Sequence, residues 1–470
     1  MRILLPTGRI TEEAVRKAAT GFDATVTVTG ELASFLTPYQ LKSLITEESY
    51  DLVITSGMCT ASFHQVEEET GVPIYRGPRH AADLRMILDI LDTIELSRDI
   101  PADDLLSSIR KKEAIGQVKR LEDEAACEFT IRGVKIGGGS RMKVLAEIMD
   151  AHHEPDIRER VIRYFSYGAD IVDLGFGFDA TPDDVRRVFA EVADLPGPLA
   201  ADTQNPDLIR ASLPRADLIL SLHTGNIREA GKDVAQAGAA AVIVPHDNSL
   251  GEAITAATKA GVSRMIADPL LQPAGSGLVG SLAGFSDFGC PLFFGAGNVT
   301  ELIDADSIGV NALLAAMAHE LHASIIFCSE HSDKTRGAVR EMRRATEMML
   351  LTGQRPYPKD LGIDLFSIKE KRRRREPPLE YTSVIEADQM PDEIRYDPRG
   401  NFRIGIEDGW IVAVRNGTAV RGRRWQDVLY TLLKDDMVSL LDHAGYLGRE
   451  LYKAELAIRF DRSFEQDGPF

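Results

Sequence analysis

Between residues 129 and 353 the chain repeats one pattern: a short apolar run, a polar residue or acid at its end, then a capped helix. PLAADTQNP, Pro198 to Pro206, shows it most plainly. Pro198 to Ala201 read as a buried strand, Asp202 and Thr203 end it, Asn205 is placed to cap a helix, and Pro206 takes the first helical position. Strand signals of this kind occur at VKIGGG, ADIVDLGFGF, PLAADTQ, DLILSLHTG, AAVIVPHDN, SRMIADPLLQP, PLFFGAGN and ASIIFCSEH. Helix starts lie between them, at Thr181 before Pro182, at Asn205 and at Ser249 with Glu252. The starts recur every roughly 19 to 35 residues, one βα unit each. Eight such units of nearly continuous apolar strand predict a closed (β/α)8 TIM barrel over residues 129–353.

The flanks read differently. Residues 1–107 alternate short strands and helices (RILLP, ATVTVTG, DLVITSG, VPIYRG) and predict a small parallel α/β domain of Rossmann or flavodoxin-like kind. It has no GxGxxG, so scaffolding is favoured over dinucleotide binding. A polar connecting helix follows over 108–128. Residues 354–399 form a Pro-containing linker with the basic run KEKRRRREPP, read as solvated charge. Residues 400–470 predict a small α+β domain of two strands and one long helix. In that helix His443, Tyr446, Glu450 and Lys453 share a face turned away from an apolar stripe, and Gly445 and Gly448 suggest close approach by another domain or subunit.

Composition narrows the function. A formal charge of −18 and a pI near 5.1 argue against nucleic-acid or anionic-membrane binding. No apolar run approaches the ~18 residues a membrane span needs, so a cytoplasmic protein is expected. Cys59, Cys127, Cys290 and Cys328 are isolated from one another, with neither a disulfide framework nor a zinc pattern.

In a barrel of this kind, chemistry sits at the carboxyl ends of the strands. Those ends carry Gly137, Gly138, Gly139, Ser140 and Arg141; Asp173; Asp202 and Thr203; Ser221, His223 and Asn226; His246, Asp247 and Asn248; Asp268; Gly297, Asn298 and Glu301; Glu330 and His331. The glycine-rich turn, with Arg141 and Lys143, is placed to hold an anion. Asp202 and Asp268 each end an apolar strand, where an unpaired carboxylate is costly unless a donor-rich ligand meets it. No metal site is assigned, since spacing alone does not show convergent ligands.

GADIVDLG, AADT and IADP resemble the second, third and sixth strand motifs of the pterin-binding barrel family, which includes dihydropteroate synthase and the methyltetrahydrofolate corrinoid methyltransferases. The layout, with an α/β unit in front and a HAGYLGREL domain behind, is similar to archaeal dihydropteroate synthase-related proteins. The resemblance implies that Asp202 and Asp268 bind the amino-pyrimidine edge of a pterin with Asp173, Ser221 and Asn226 in support. The family's own anion loop is not kept; from its glycines and cations the turn at Gly138, Gly139, Ser140 and Arg141, with Asn298, is the expected anion subsite, and His223 or His331 is the expected proton acceptor. The implied reaction joins an arylamine to a dihydropterin methyl diphosphate in folate or methanopterin-like cofactor biosynthesis. A diphosphate substrate would bring Mg2+ with it; no other cofactor is implied, and a homo-oligomer is left open. The sequence departs from the synthase pattern at Leu220-Ser221-Leu222-His223, where that family has Asn-Asp, and at Gly297-Asn298-Val299, where it has Ser-Arg-Lys. GGGSRM also replaces the family's first loop. These departures keep a second reading in view, a non-catalytic or methyl-carrying pterin-binding protein.

Overall fold

The computed structural model describes residues 1–354, 358–359, 361–369, 379, 381–389 and 395–469. The chain divides into two compact units, Met1–Leu365 and Phe366–Phe470. The first begins with four parallel strands, β1 (Ile3–Gly8), β2 (Ala24–Gly30), β3 (Leu52–Thr55) and β4 (Ile74–Arg76), in the order β2-β1-β3-β4. Central β1 is buried along its whole length, as its run of Ile, Leu and Leu requires. The long helix Ala102–Glu124 then leads into the barrel region.

A two-stranded antiparallel hairpin follows, β5 (Phe129–Ile131) and β6 (Val134–Ile136). The barrel itself is built from β7 (Lys143–Ile148), β8 (Ile171–Gly175), β9 (Leu199–Asp202), β10 (Leu218–Leu222), β11 (Ala240–Ile243), β12 (Met265–Ala267), β13 (Leu292–Phe294) and β14 (Ala323–Ser329). All eight are parallel, and β14 pairs with β7 to close the ring. The closed (β/α)8 barrel and the count of eight are as expected, but the first strand is not. VKI belongs to the hairpin, and KVLAEI is the true first strand. Arg132 and Gly133 both adopt positive φ (42° and 84°), the two-residue turn that matches the twist of an antiparallel pair.

The hairpin closes the amino-terminal end of the barrel. Ile131 and Ile136 pack with Leu145, Leu218, Ile266 and Phe293 inside the ring, and the Arg132 guanidinium donates to Gly197 O (2.9 Å) just before β9. Helices cover the outside through a second apolar layer that includes Val161, Val188, Ile209, Val234 and Met342. Their starts are set by side chains, as the sequence signals predict. Thr181 with Asp184 and Ser249 with Glu252 form reciprocal capping boxes, and Asn205 accepts from Asp207 N.

The second unit holds an antiparallel sheet of three strands, not two: β15 (Arg403–Glu407), β16 (Trp410–Arg415) and β17 (Thr418–Gly422). Two helices follow, Trp425–Lys434 and Leu441–Arg459. The expected docking face on the second helix is already covered by its own unit. His443 Nδ1 lies 3.0 Å from buried Asp397, Tyr446 accepts from Gln466 Nε2 (2.8 Å), and Glu450, fully buried, accepts from Lys453 and from Asp467 N. Gly445 faces open space, and a Cβ at Gly448 would meet Leu429 at an ordinary 3.6 Å, so neither glycine is required by a close contact. In the linker, the basic run at 370–378 lies outside the described residues. Among the described residues no helix is long and apolar enough to cross a membrane.

Candidate functional site

Strand register brings three carboxylates together at the carboxyl-terminal mouth. Glu147 on β7 pairs with Asp173 on β8, and Gly175, two residues further along β8, pairs with Asp202 on β9. Residues two apart on a strand face the same side, so all three side chains converge, with one carboxylate oxygen of each within 4.8 Å of the others. Asp173 is fully buried and neither of its oxygens has a hydrogen-bond partner. Asp202 accepts from the Ser221 hydroxyl at 2.9 Å. Asp268, one residue beyond β12, accepts from Leu270 N at 2.8 Å.

Burial without cations raises the proton affinity of this group of acids. Asp173 is pushed well above the ordinary carboxylate value, first by burial and then by the charges of Asp202 and Glu147. Burial, with Asp202 next, lifts Glu147 to about 7. Asp268 is lifted to about 7, again mainly by burial. Burial raises Asp202 as well, against the Ser221 hydrogen bond. The mouth therefore offers acceptors that gain most from a ligand rich in N–H groups, since such a ligand replaces hydration that burial removed.

The rim beside β10 is tied together by hydrogen bonds. Ser221 has a left-handed backbone (φ 65°), and its carbonyl accepts from Asn226 Nδ2 at 3.2 Å. Asn226, buried, also donates to Gln204 O and accepts from His223 N. His223 caps the helix Thr224–Ala237, its Nδ1 accepting from Gly225 N at 3.1 Å. Its ring stacks on His246 with centroids 4.4 Å apart. Burial, then His246, lowers its pKa. A neutral ring that accepts at Nδ1 carries its proton at Nε2, so His223 presents a donor where a proton acceptor was expected. His331 is exposed on the loop after β14, its backbone N–H donating to Glu301 Oε1 at 2.9 Å. Asn298 is exposed in the short helix Gly297–Thr300 after β13.

The glycine-rich turn is at the other end of the barrel. Because it precedes β7, Gly138, Gly139, Ser140 and Arg141 line a cleft of about 550 Å3 at the amino-terminal end of the barrel, with Phe285, His319 and Thr346. They do not sit at the mouth, where the sequence pattern places them. Arg141 bonds Asp170 and the Thr346 hydroxyl, while Lys143 pairs with Glu122 at 2.9 Å. Gly138 (φ 65°) is needed because a Cβ there would come within 2.6 Å of the Cys127 Cα.

The sequence signal of VKI is stronger than that of KVLAEI, so the residues that follow the true first strand do not stand out in the sequence. EIMDAHH, Glu147 to His153, supplies a carboxylate to the central group and two imidazoles to a second group, His152, His153 and Asp179, whose donor atoms also lie within 4.8 Å of one another. The signal was available: an apolar VLA followed at once by acids and histidines.

The architecture and the mouth define the class, a parallel (β/α)8 barrel whose carboxyl-terminal opening is lined by buried carboxylates. The family described as PterinBD-DUF4346 matches residues 396–467, within the second unit. The uncharacterized protein MJ0107 of Methanocaldococcus jannaschii is 33% identical over 520 aligned residues, covering 99% of this chain and 98% of that protein. The chain belongs to the family of MJ0107. Among solved structures, the Yersinia pestis dihydropteroate synthase with a pterine-sulfa conjugate is 20% identical, covering 48% of this chain and 99% of that one at a TM-score of 0.40. The dihydropteroate synthase of Thermus thermophilus is 20% identical over 44% and 93% at 0.37, and Mycobacterium tuberculosis Rv1207 is 19% identical over 48% and 98% at 0.38.

Proposed function

We propose that the barrel mouth binds a reduced pterin, and that the protein is a transferase of dihydropteroate synthase type acting in folate or methanopterin-like cofactor biosynthesis. The observation that carries this reading is Asp173: a wholly buried carboxylate with no partner, flanked by Glu147 and Asp202. The amino-pyrimidine edge of a pterin is a planar array of N–H donors, the complement such a surface lacks. The PterinBD-DUF4346 match agrees with it. In this reading Asp173, Asp202 and Asp268 accept from the ring, and Ser221 and Asn226 hold the rim.

The reaction would form a bond from an arylamine nitrogen to the pterin methylene while the bond from that carbon to the diphosphate breaks. Orientation of the two reactants would supply most of the rate. The proton shed by the amine would go to His331, because the Nδ1 lone pair of His223 is occupied by Gly225 N–H. Hard oxygen donors at Glu147, Asp173 and Asp202 are of the kind Mg2+ takes, but a pterin would compete for them. The second reading, a pterin-binding protein that is non-catalytic or carries a methyl group, is favoured by one observation: the turn expected to hold the diphosphate faces away from the mouth.

Calorimetry with 6-hydroxymethyl-7,8-dihydropterin, with and without its diphosphate, tests both. A gain in affinity from the diphosphate supports the transferase, equal affinity supports the carrier, and no heat from either ligand rejects pterin binding.

A further inference from the structure

The second cluster at the mouth stands apart from the pterin reading. His152 and His153 lie on the loop after β7 and Asp179 on the loop after β8. His152 Nε2 sits 3.1 Å from Asp179 Oδ1, and His153 Nε2 sits 2.8 Å from Asp179 Oδ2. Two imidazoles thus converge on one carboxylate, with their rings 4.0 Å apart between centroids.

The surroundings hold this arrangement in place. The His152 side chain is only 3% exposed; its ring lies 6.3 Å from Phe176, and its backbone carbonyl accepts from Arg187 at 3.0 Å. Its Nδ1 is buried without a partner, so Nε2 is the nitrogen that faces the cluster. His153 and Asp179 are 63% and 65% exposed, which leaves the far side of the group open to solvent. Asp150 borders the same space. A Cβ at Gly177 would fall 2.6 Å from Asp150 Oδ1 and 3.2 Å from Asp179 Oδ1, so a side chain there would wedge between the two carboxylates.

We propose that His152, His153 and Asp179 form a binding site for a first-row transition-metal dication. Two imidazole nitrogens and a carboxylate suit Zn2+, Co2+ or Fe2+ better than Mg2+ or Ca2+, which prefer all-oxygen shells. Three protein ligands leave a position for water or a ligand oxygen on the solvent side. The ion would place positive charge at the mouth, where the glycine-rich turn does not reach.

The test is titration of untagged, chelator-stripped, full-length protein with Co2+ and then Zn2+, following the visible absorption of bound Co2+. The expected result is one saturable equivalent of Co2+ with histidine-type absorption, displaced by Zn2+. His153→Ala and Asp179→Ala should each weaken binding at least about tenfold. Both replaced side chains are exposed, and melting curves would check that the variants fold. Glu147→Gln, which alters the central carboxylates instead, should bind Co2+ like the parent. Absence of saturable binding, unchanged affinity in folded His153→Ala, or loss of binding in Glu147→Gln would each overturn the assignment. Pterin calorimetry on the same metal-free protein reads the other site separately.

Discussion

The two ends of the barrel treat buried charge in opposite ways. At the amino-terminal end Asp170 receives both Arg141 and Arg343, Lys143 meets Glu122, and Arg132 meets Asp217. At the carboxyl-terminal end Asp173 faces the carboxylates of Asp202 and Glu147 and, among the described residues, no cation. Both ends are made of the same strands, so the contrast separates what the fold uses to stand from what the proposed function assigns to a ligand. A paired buried charge is an internal matter; an unpaired buried acid holds its proton unless something outside the chain completes it.

The largest effect should come from breaking the satisfied end. Asp170→Ala would strand Arg141 and Arg343 and cost about 3–5 kcal/mol of stability, read by urea unfolding. Asp170 is raised by burial but brought below its ordinary value by the charges of Arg141 and Arg343 and by their hydrogen bonds. Its contribution is therefore present above the unfolded value of 3.8 and is lost as pH falls below it. An unchanged unfolding midpoint would remove the contrast.

At the open end the loss should appear in binding instead. Asp202→Asn and Asp268→Asn are each expected to weaken pterin affinity by about 2–4 kcal/mol with little change in melting. Normal affinity in either folded variant would reject the assignment of that residue.

Asp173→Asn should raise stability by about 1–3 kcal/mol near neutral pH while weakening the ligand, because it removes the need to keep an acid protonated in a buried site. A variant less stable than the parent would show that the acid is satisfied after all. Glu147 gives the same contrast a pH signature. Its folded value of about 7 lies above the unfolded 4.5, so the native state holds the extra proton and stability falls as pH rises from 4.5 to 7. Glu147→Gln should flatten that part of the stability profile. The smallest effect belongs to the outer surface: Thr181→Ala, which breaks a capping box, should cost about 1 kcal/mol and leave binding alone.

Much of this was legible in the chain because local chemistry carries it. Apolar strand runs, the caps at Thr181, Asn205 and Ser249, and acids at Asp202 and Asp268 all act within a few residues of their own position, so they can be read without knowing their neighbours. The first strand is not legible, for a related reason. Glu147 interrupts its apolar run, and only the mouth of a closed barrel gives a carboxylate there a role, whereas VKI looks like a barrel strand until Arg132 and Gly133 turn it back on β5. The glycine-rich turn, which precedes β7, lies at the amino-terminal end for the same reason.

The sequence by itself determined that eight strands would close, where their helices begin, and which acids lie at strand ends, because periodicity and capping are short-range. Tertiary structure alone decided that Glu147, Asp173 and Asp202 face one another, that two histidines meet Asp179, and that Glu450 is buried under its own tail. Those are questions of register and closure. A shift of one residue between β7 and β8 would turn Glu147 away from Asp173, and no local signal records that pairing.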